Sequence, residues 1–301
     1  MKLTLSQSIE GVTLAKTAAG FSQATLDIHT NGWRILQGFI DPGTHIDEIT
    51  KHDLVAFFAW LNDGYLTASG DRLGQYSLYN IHSALCALWK WAYEEEFTPA
   101  NIMLAIPRPK LVEPVIEPFS KGDVEALLQA CRLSRSTATR DRAILLTLLS
   151  TGLRATELCG IQIKDVSLRQ NSVKVLGKGK RERIARFGKR TAKAIWLHIQ
   201  TIESKTEDTF LFASSDDPLT RYGLHRLLCR LGKRAKIKDC NPHRFRHTFA
   251  INYLRNGGDL FTLQALMGHS SLEMVRRYAR VAAIDCAAAH ERADPVDNWR
   301  L

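Results

Sequence analysis

The sequence predicts a mainly α-helical protein of two domains, the second of which also contains a small antiparallel sheet. Apolar residues recur at helical spacing along most of the 301 residues. Segments 171–176 and 182–187 instead have the composition of two short strands joined by a glycine-containing turn. A proline-rich stretch divides the chain at the point where its net charge changes sign.

The first domain is predicted to be a bundle of about four helices. Its helical pattern starts at Phe21, with Ser22 as a candidate N-cap, and the first helix ends at the turn 41–43. A second helix covers residues 50–61, and a third follows the loop 64–74. We expect the aromatic side chains on these helices to pack in the core of the domain.

A linker is predicted at residues 107–118 (PRPKLVEPVIEP), because their four prolines favour an extended backbone. Residues 1–118 hold 8 Lys and Arg against 13 Asp and Glu, a net charge of −5. The rest of the chain holds 33 against 18, a net charge of +15. The sequence therefore predicts a first domain at residues 1–106 and a second at residues 119–301.

The second domain starts with a helix that Ser120 can cap and that continues to Cys131. Residues 141–150 are apolar nearly all round, which predicts a buried helix that ends at Thr151-Gly152. The two strands follow. Further helices are expected at residues 189–204, 219–237, 243–256, 259–267 and 271–280.

The positive charge of the second domain favours a polyanionic partner, because neutralising phosphates releases their counterions. A solvated basic surface is the alternative. The cysteines are scattered and suggest neither a disulfide framework nor a zinc site. They are Cys86, Cys131, Cys159, Cys229, Cys240 and Cys286. With no signal-like N-terminus and no apolar run of membrane-spanning length, we expect a cytoplasmic protein with no membrane partner.

The sequence contains no nucleotide-binding G-x-x-x-x-G-K-[ST] loop and no carboxylate cluster suited to a two-metal nuclease. Three other segments carry groups that could handle phosphate. Residues 151–158 place Arg154 after a glycine turn, and residues 242–247 (PHRFRH) open a helix. Residues 267–271 (MGHSS) precede a helix that contains Tyr278.

Together these segments resemble the tyrosine recombinase (phage integrase) family, over residues 13–301. No single motif is specific, but their order and spacing are, with Tyr278 nine residues after His269. The resemblance implies a Xer- or Cre-like layout, with an N-terminal SAM-like core-binding domain and a mixed α/β catalytic domain. It implies six catalytic residues: Arg154, Lys178, His243, Arg246, His269 and Tyr278.

By this resemblance Tyr278 attacks a DNA phosphate and forms a 3′-phosphotyrosine intermediate. Arg154 and Arg246 would meet the charge on the non-bridging oxygens, which metal ions do in other enzymes. Lys178 would protonate the departing 5′-oxygen, although Lys180 competes for this role. Because the phosphotyrosine bond keeps the energy of the broken bond, we expect no metal, ATP or other cofactor.

The resemblance makes His243 the acid–base partner of the tyrosine and a phosphate ligand, since it lies three residues before Arg246. His247 is passed over for that reason. His269 would donate a hydrogen bond to the phosphate. Glu157 is expected to brace the loop of Arg154 and is not counted as catalytic.

The implied function is site-specific recombination of double-stranded DNA by a tetramer. Two alternatives are a type IB topoisomerase and a non-catalytic DNA-binding regulator. Residues 282–291 look like a short helix that packs on a neighbouring protomer, as in recombinases, or on its own domain. Two features depart from the family pattern: Arg186 stands where a proline often follows the second strand, and the first domain is acidic.

Overall fold

The chain forms two compact units in a computed structural model, Met1–Pro114 and Val115–Leu301. The division falls inside the proline-rich segment 107–118. The structure describes residues 2–111, 117–134, 136–177, 182–203, 205–214, 217–268, 273–282, 294 and 296.

The first unit is a bundle of helices around a core that contains two fully buried tryptophans. Trp33 donates a hydrogen bond from Nε1 to the carbonyl oxygen of Ala84 at 2.8 Å, and Trp89 belongs to the same core. The predicted cap forms at Ser22, and Thr50, predicted as the first residue of a helix, instead caps the helix that begins at Lys51. The helices are α1 (Leu5–Ala18), α2 (Gln23–Gln37), α3 (Lys51–Asp63) and α4 (Gln75–Glu94), followed by a 3₁₀ helix (Ile102–Ala105).

Helix α1 lies before the residue at which the sequence pattern placed the start of the bundle. Thr4 caps it through a reciprocal pair of hydrogen bonds with Gln7. Its buried residues are Leu5, Ser8 and Val12. A helix that buries only two large apolar side chains leaves little periodic pattern, so the sequence does not predict α1.

The second unit is mainly helical and has a core that runs from Phe119 to Phe245. Helix α6 is buried on most sides, as its composition predicted. The predicted helices are all present where the structure describes them, and α8 ends four residues early. The helices are α5 (Lys121–Arg132), α6 (Ala138–Thr151), α7 (Ala155–Cys159), α8 (Lys189–Gln200), α9 (Arg221–Ala235), α10 (Pro242–Arg255), α11 (Leu260–Met267) and α12 (Glu273–Ala282).

The sheet has three antiparallel strands in the order β1 (Val166–Ser167), β2 (Ser172–Leu176) and β3 (Glu182–Arg186). The sequence predicted β2 and β3 but not the two-residue β1. Val173 and Val175 point into the core, and Val175 is opposite Arg183 on β3. A second, minimal hairpin joins β4 (Ala213–Ser214) to β5 (Asp217–Pro218).

The predicted fold class, mainly helical with a small antiparallel sheet in the second domain, is confirmed. No helix among the described residues is long and apolar enough to cross a bilayer.

Candidate active site

The first side chain of the site lies at the junction of α6 and α7. Gly152 ends α6 in the left-handed conformation, with φ 61° and ψ 25°, which turns the chain sharply toward Arg154. Arg154 is the N-cap residue of α7. Its backbone N–H donates to Oε2 of Glu157 at 2.7 Å, and its Nη1 donates to Oε1 at 3.2 Å. Glu157 therefore braces the Arg154 loop, as the sequence analysis expected.

Glu157 also binds a second arginine, Arg183, which no sequence pattern singles out. Arg183 on β3 donates to Glu157 from Nη2 at 2.9 Å, and from Nη1 to the carbonyl oxygen of Leu266 at 2.6 Å. Burial opposes ionisation of Glu157, but hydrogen bonds and the two guanidiniums outweigh it and lower its pKa. Arg183 is one of several basic residues in the hairpin, so only the buried carboxylate at Glu157 could have pointed to it.

Arg246 on α10 is the most buried arginine of the site, at 5% exposure. Asn241 caps the helix and Pro242 begins it. Arg246 donates from Nη1 to the carbonyl oxygen of Gly152 at 2.5 Å and from Nη2 to that of Met267 at 2.7 Å. Burial, and next the charge of Arg154, lower its pKa to about 10, so it stays cationic at neutral pH.

Both sequence-predicted arginines are held by carbonyl groups at the ends of helices. Gly152 and Met267 lie at the C-terminal ends of α6 and α11, and Nη2 of Arg154 donates to the carbonyl oxygen of Gly268 at 3.2 Å. The C-terminus of a helix carries partial negative charge, which suits a guanidinium. These contacts bring Arg154 and Arg246 together although 92 residues separate them in the sequence.

Tyr278 on α12 lies near Arg154 and Arg246 and is buried, with 2% exposure. Its ring packs in a core formed by α10, α11 and α12, which includes Ile251, Leu254 and Met267. Its hydroxyl lies 2.9 Å from Nδ1 of His247. Burial raises the pKa of Tyr278, although nearby arginines act in the opposite direction, so the phenol is protonated at neutral pH.

The two histidines of α10 have different surroundings. His243, in the first turn, is exposed, and desolvation followed by the charges of Arg246 and Arg154 lowers its pKa. His247, one turn further on, is only partly exposed and contacts the tyrosine hydroxyl. The spacing to Arg246 had favoured His243 over His247 as the partner of the tyrosine.

Several predicted residues lie outside the part of the chain that the structure describes. These are Lys178, its competitor Lys180, His269 and all of the expected C-terminal helix 282–291 except its first residue. The roles assigned to them stay predictions, as do those of the other site residues. The described residues contain no group of three or more His, Cys, Asp or Glu side chains that could hold a metal ion.

The chain is similar to proteins of one family over most of its length. The phage integrase family matches residues 118–284. The tyrosine recombinase XerD of Pseudomonas putida is 30% identical over 274 residues, covering 88% of this chain and 87% of that protein. The tyrosine recombinase XerD of Staphylococcus haemolyticus is 31% identical over 257 residues, covering 83% and 85%.

A solved structure of the Tn1549 transposon integrase in complex with circular intermediate DNA has a similar fold. Its TM-score is 0.74 at 21% identity, covering 92% of this chain and 95% of that one. The family match over more than half of the chain, with the two XerD relatives, confirms the resemblance inferred from the sequence. The chain therefore belongs to the phage integrase family and is a tyrosine-type site-specific recombinase.

Proposed function

We propose that this recombinase breaks a DNA strand by attack of the Tyr278 hydroxyl on a backbone phosphate, which leaves a 3′-phosphotyrosine bond. One observation carries the proposal: a buried tyrosine lies beside the two family arginines, and both Arg246 and Arg154 favour its ionised form. A phenol is a suitable nucleophile because its phosphate ester stays reactive enough for a second exchange.

The arginines have the chemistry that the attack requires. Negative charge grows on the non-bridging oxygens as the new bond forms, and guanidinium N–H groups donate strong hydrogen bonds to such oxygens. Arg154 has a side chain that is 34% exposed, which leaves it accessible to a phosphate. Because hydrogen bonds to backbone carbonyls and Glu157 already orient the guanidiniums, little reorganisation accompanies binding.

The remaining parts of the mechanism are those that the family resemblance implies. Lys178 protonates the departing 5′-oxygen, and His243 and His269 bind the phosphate. The substrate is a double-stranded recombination site, which the +15 charge of residues 119–301 supports. Four protomers act together on two sites, with the C-terminal helix 282–291 packing on a neighbour. We expect the reaction to take place in the cytoplasm and to need no cofactor.

The alternatives weighed from the sequence are not favoured. The relatives that match over most of both chains are recombinases. A non-catalytic regulator would have no use for a tyrosine set beside two arginines.

The test is covalent capture of DNA by the full-length protein. The DNA flanking the gene supplies candidate sites, and a nick close to the cleavage position traps the cut strand. Wild type should form a protein–DNA adduct that Tyr278→Phe does not form, while both bind the duplex equally. Tyr253→Phe, which changes a tyrosine of α10, is the matched control and should form the adduct. Failure of wild type to form an adduct on any flanking site, or an adduct with Tyr278→Phe, would contradict the proposal.

A further inference from the structure

The hydroxyl of Tyr278 is hydrogen-bonded to His247, which has no role in the mechanism described above. Nδ1 of His247 lies 2.9 Å from the hydroxyl oxygen, which is an ordinary hydrogen-bond distance. The ring planes are tilted by 51° with their centroids 5.5 Å apart, so the rings are not stacked. The contact is therefore made through the polar atoms.

With both groups neutral, the tautomer of the histidine sets the direction of this hydrogen bond. Burial, and then the charges of His243, Arg277 and Arg246, lower the pKa of His247 to about 4, so its ring is neutral at neutral pH. The phenol of Tyr278 is protonated, because burial raises its pKa. With the ring proton on Nε2, the hydroxyl donates to the lone pair of Nδ1. That is the arrangement from which a proton can move to the histidine.

We propose that His247, and not His243, takes the phenolic proton of Tyr278 when the hydroxyl attacks the phosphate. The proposal rests on the proposed function, because it requires Tyr278 to be the nucleophile. In strand cleavage the Oη–P bond forms, the P–O5′ bond breaks, and the phenolic proton passes to Nδ1. The 5′-oxygen takes its proton from a different acid, Lys178. In rejoining, the 5′-hydroxyl gives its proton to Lys178 as the P–O5′ bond forms, the Oη–P bond breaks, and Nδ1 returns its proton to the tyrosine oxygen.

DNA binding makes His247 a better base at the moment when one is needed. Its pKa is low partly because two arginines and His243 surround it with positive charge. A phosphate bound by Arg246 adds negative charge close to the ring and offsets this effect. The free protein therefore keeps His247 neutral, and the complex makes protonation of the ring less costly.

His243 is placed for a different task. It lies in the first turn of α10 and is exposed, three residues before Arg246 on the same face of the helix. A histidine at the exposed start of a helix, beside a guanidinium, suits contact with a phosphate oxygen. Its role as phosphate ligand in the proposed function is retained, and its role as partner of the tyrosine passes to His247.

The decisive variant is His247→Asn, because the asparagine amide can still hydrogen-bond near the position of Nδ1 but cannot accept a proton. We expect single-turnover cleavage of the nicked duplex to slow by about 100-fold or more, with DNA binding unchanged. His225→Ala removes an exposed histidine of α9 and serves as the control, with cleavage at the wild-type rate. If His247 only holds the tyrosine in place, His247→Asn should cleave within about threefold of wild type, and the proposal fails.

A substrate with sulfur in place of the departing 5′-oxygen separates this role from that of the general acid. A thiolate leaves without a proton, so this substrate should restore cleavage by Lys178→Ala but not by His247→Asn. If this substrate restored cleavage by His247→Asn, His247 would be the residue that protonates the leaving group, and the proposal would be wrong. A ring-fluorinated tyrosine at position 278, whose phenol is more acidic, should reduce the defect of His247→Asn. Absence of cleavage by wild type would contradict the proposed function instead, so the two failures are distinguishable.

Discussion

Replacing Glu157 by glutamine should remove the anion that orients two arginines of the site. The carboxylate accepts four hydrogen bonds, two from Arg154 and two from Arg183. Its side chain is 1% exposed, and that of Arg183 is 15% exposed, so solvent can do little to replace the lost charge. The glutamine amide keeps one acceptor oxygen, but its NH₂ group faces donors of the same kind.

The expected loss of stability follows from these contacts. Removing one partner of a buried ion pair costs about 3–5 kcal/mol, because the other charge stays buried without its counter-ion. Arg154 is partly solvated and the amide keeps one acceptor, so we expect the lower end, about 3 kcal/mol. Cleavage should slow by about tenfold or more, because Arg154 loses its orientation toward the phosphate.

The assay is urea unfolding of the full-length protein, with hydrogen exchange of the α7 and α10 amides reporting on the second unit alone. Glu182→Gln is the matched control: it also changes a glutamate to glutamine in an ion pair, here with Lys174, but its side chain is 56% exposed. That change should cost no more than about 1 kcal/mol. Equal losses for the two variants would refute the reasoning.

The pH dependence gives an internal check on the same variant. The pKa of Glu157 is lower in the folded protein than its ordinary value of 4.5, so its ionised form stabilises the fold above that pH. This stabilisation is lost as the pH falls through the folded pKa. The difference in free energy of unfolding between wild type and Glu157→Gln should therefore become smaller at acid pH. If this difference stayed constant to the lowest pH at which the protein is folded, the charge of Glu157 would not be what stabilises its contacts with Arg154 and Arg183.

Two further changes test other contacts in the second unit. Gly152→Ala should cost at least about 1–2 kcal/mol in urea unfolding, because the left-handed backbone disfavours a side chain and the new Cβ would meet the Phe249 ring. Gly122→Ala, in a helix with space for the methyl group, should be neutral or stabilising, and equal effects would contradict this account. The stability of wild type should fall as the pH is lowered from 6.5 to about 4, since His247 binds a proton more weakly when folded. His247 accounts for at most about 3 kcal/mol of this fall in the free energy of unfolding. For His247→Asn, the free energy of unfolding should therefore change less steeply with pH over the same range.

Helices with a wide apolar stripe were predictable from the sequence, and α4 and α6 are the clearest cases. The start of the bundle was not predictable from the sequence, because α1 buries few large side chains. Boundaries shifted where the last turn of a helix has no clear stop signal, as at the end of α8. The charge change and the prolines placed a boundary in the segment where the chain divides into its two units.

The site shows the same contrast between local and long-range information. Arg154, Arg246 and Tyr278 were predicted because their segments carry local patterns that are recognisable in order. Arg183 was not predicted and His247 was passed over because the contacts that distinguish them are made with residues 26 and 31 positions away, Glu157 and Tyr278. A basic residue in a strand and a histidine next to a family arginine have no local feature that reveals such a partner.

The carbonyl groups that hold the arginines belong to separate stretches of the chain, one at the end of α6 and the others at the end of α11. The arrangement of the two arginines is therefore not a property of any local segment. It comes into existence only when α6, α10 and α11 have all docked. During synthesis, α11 and the tyrosine helix are the last described helices to emerge. The two arginines of a chain still being made therefore lack some of their carbonyl partners until α11 has emerged, so their arrangement is among the last features of the second unit to form.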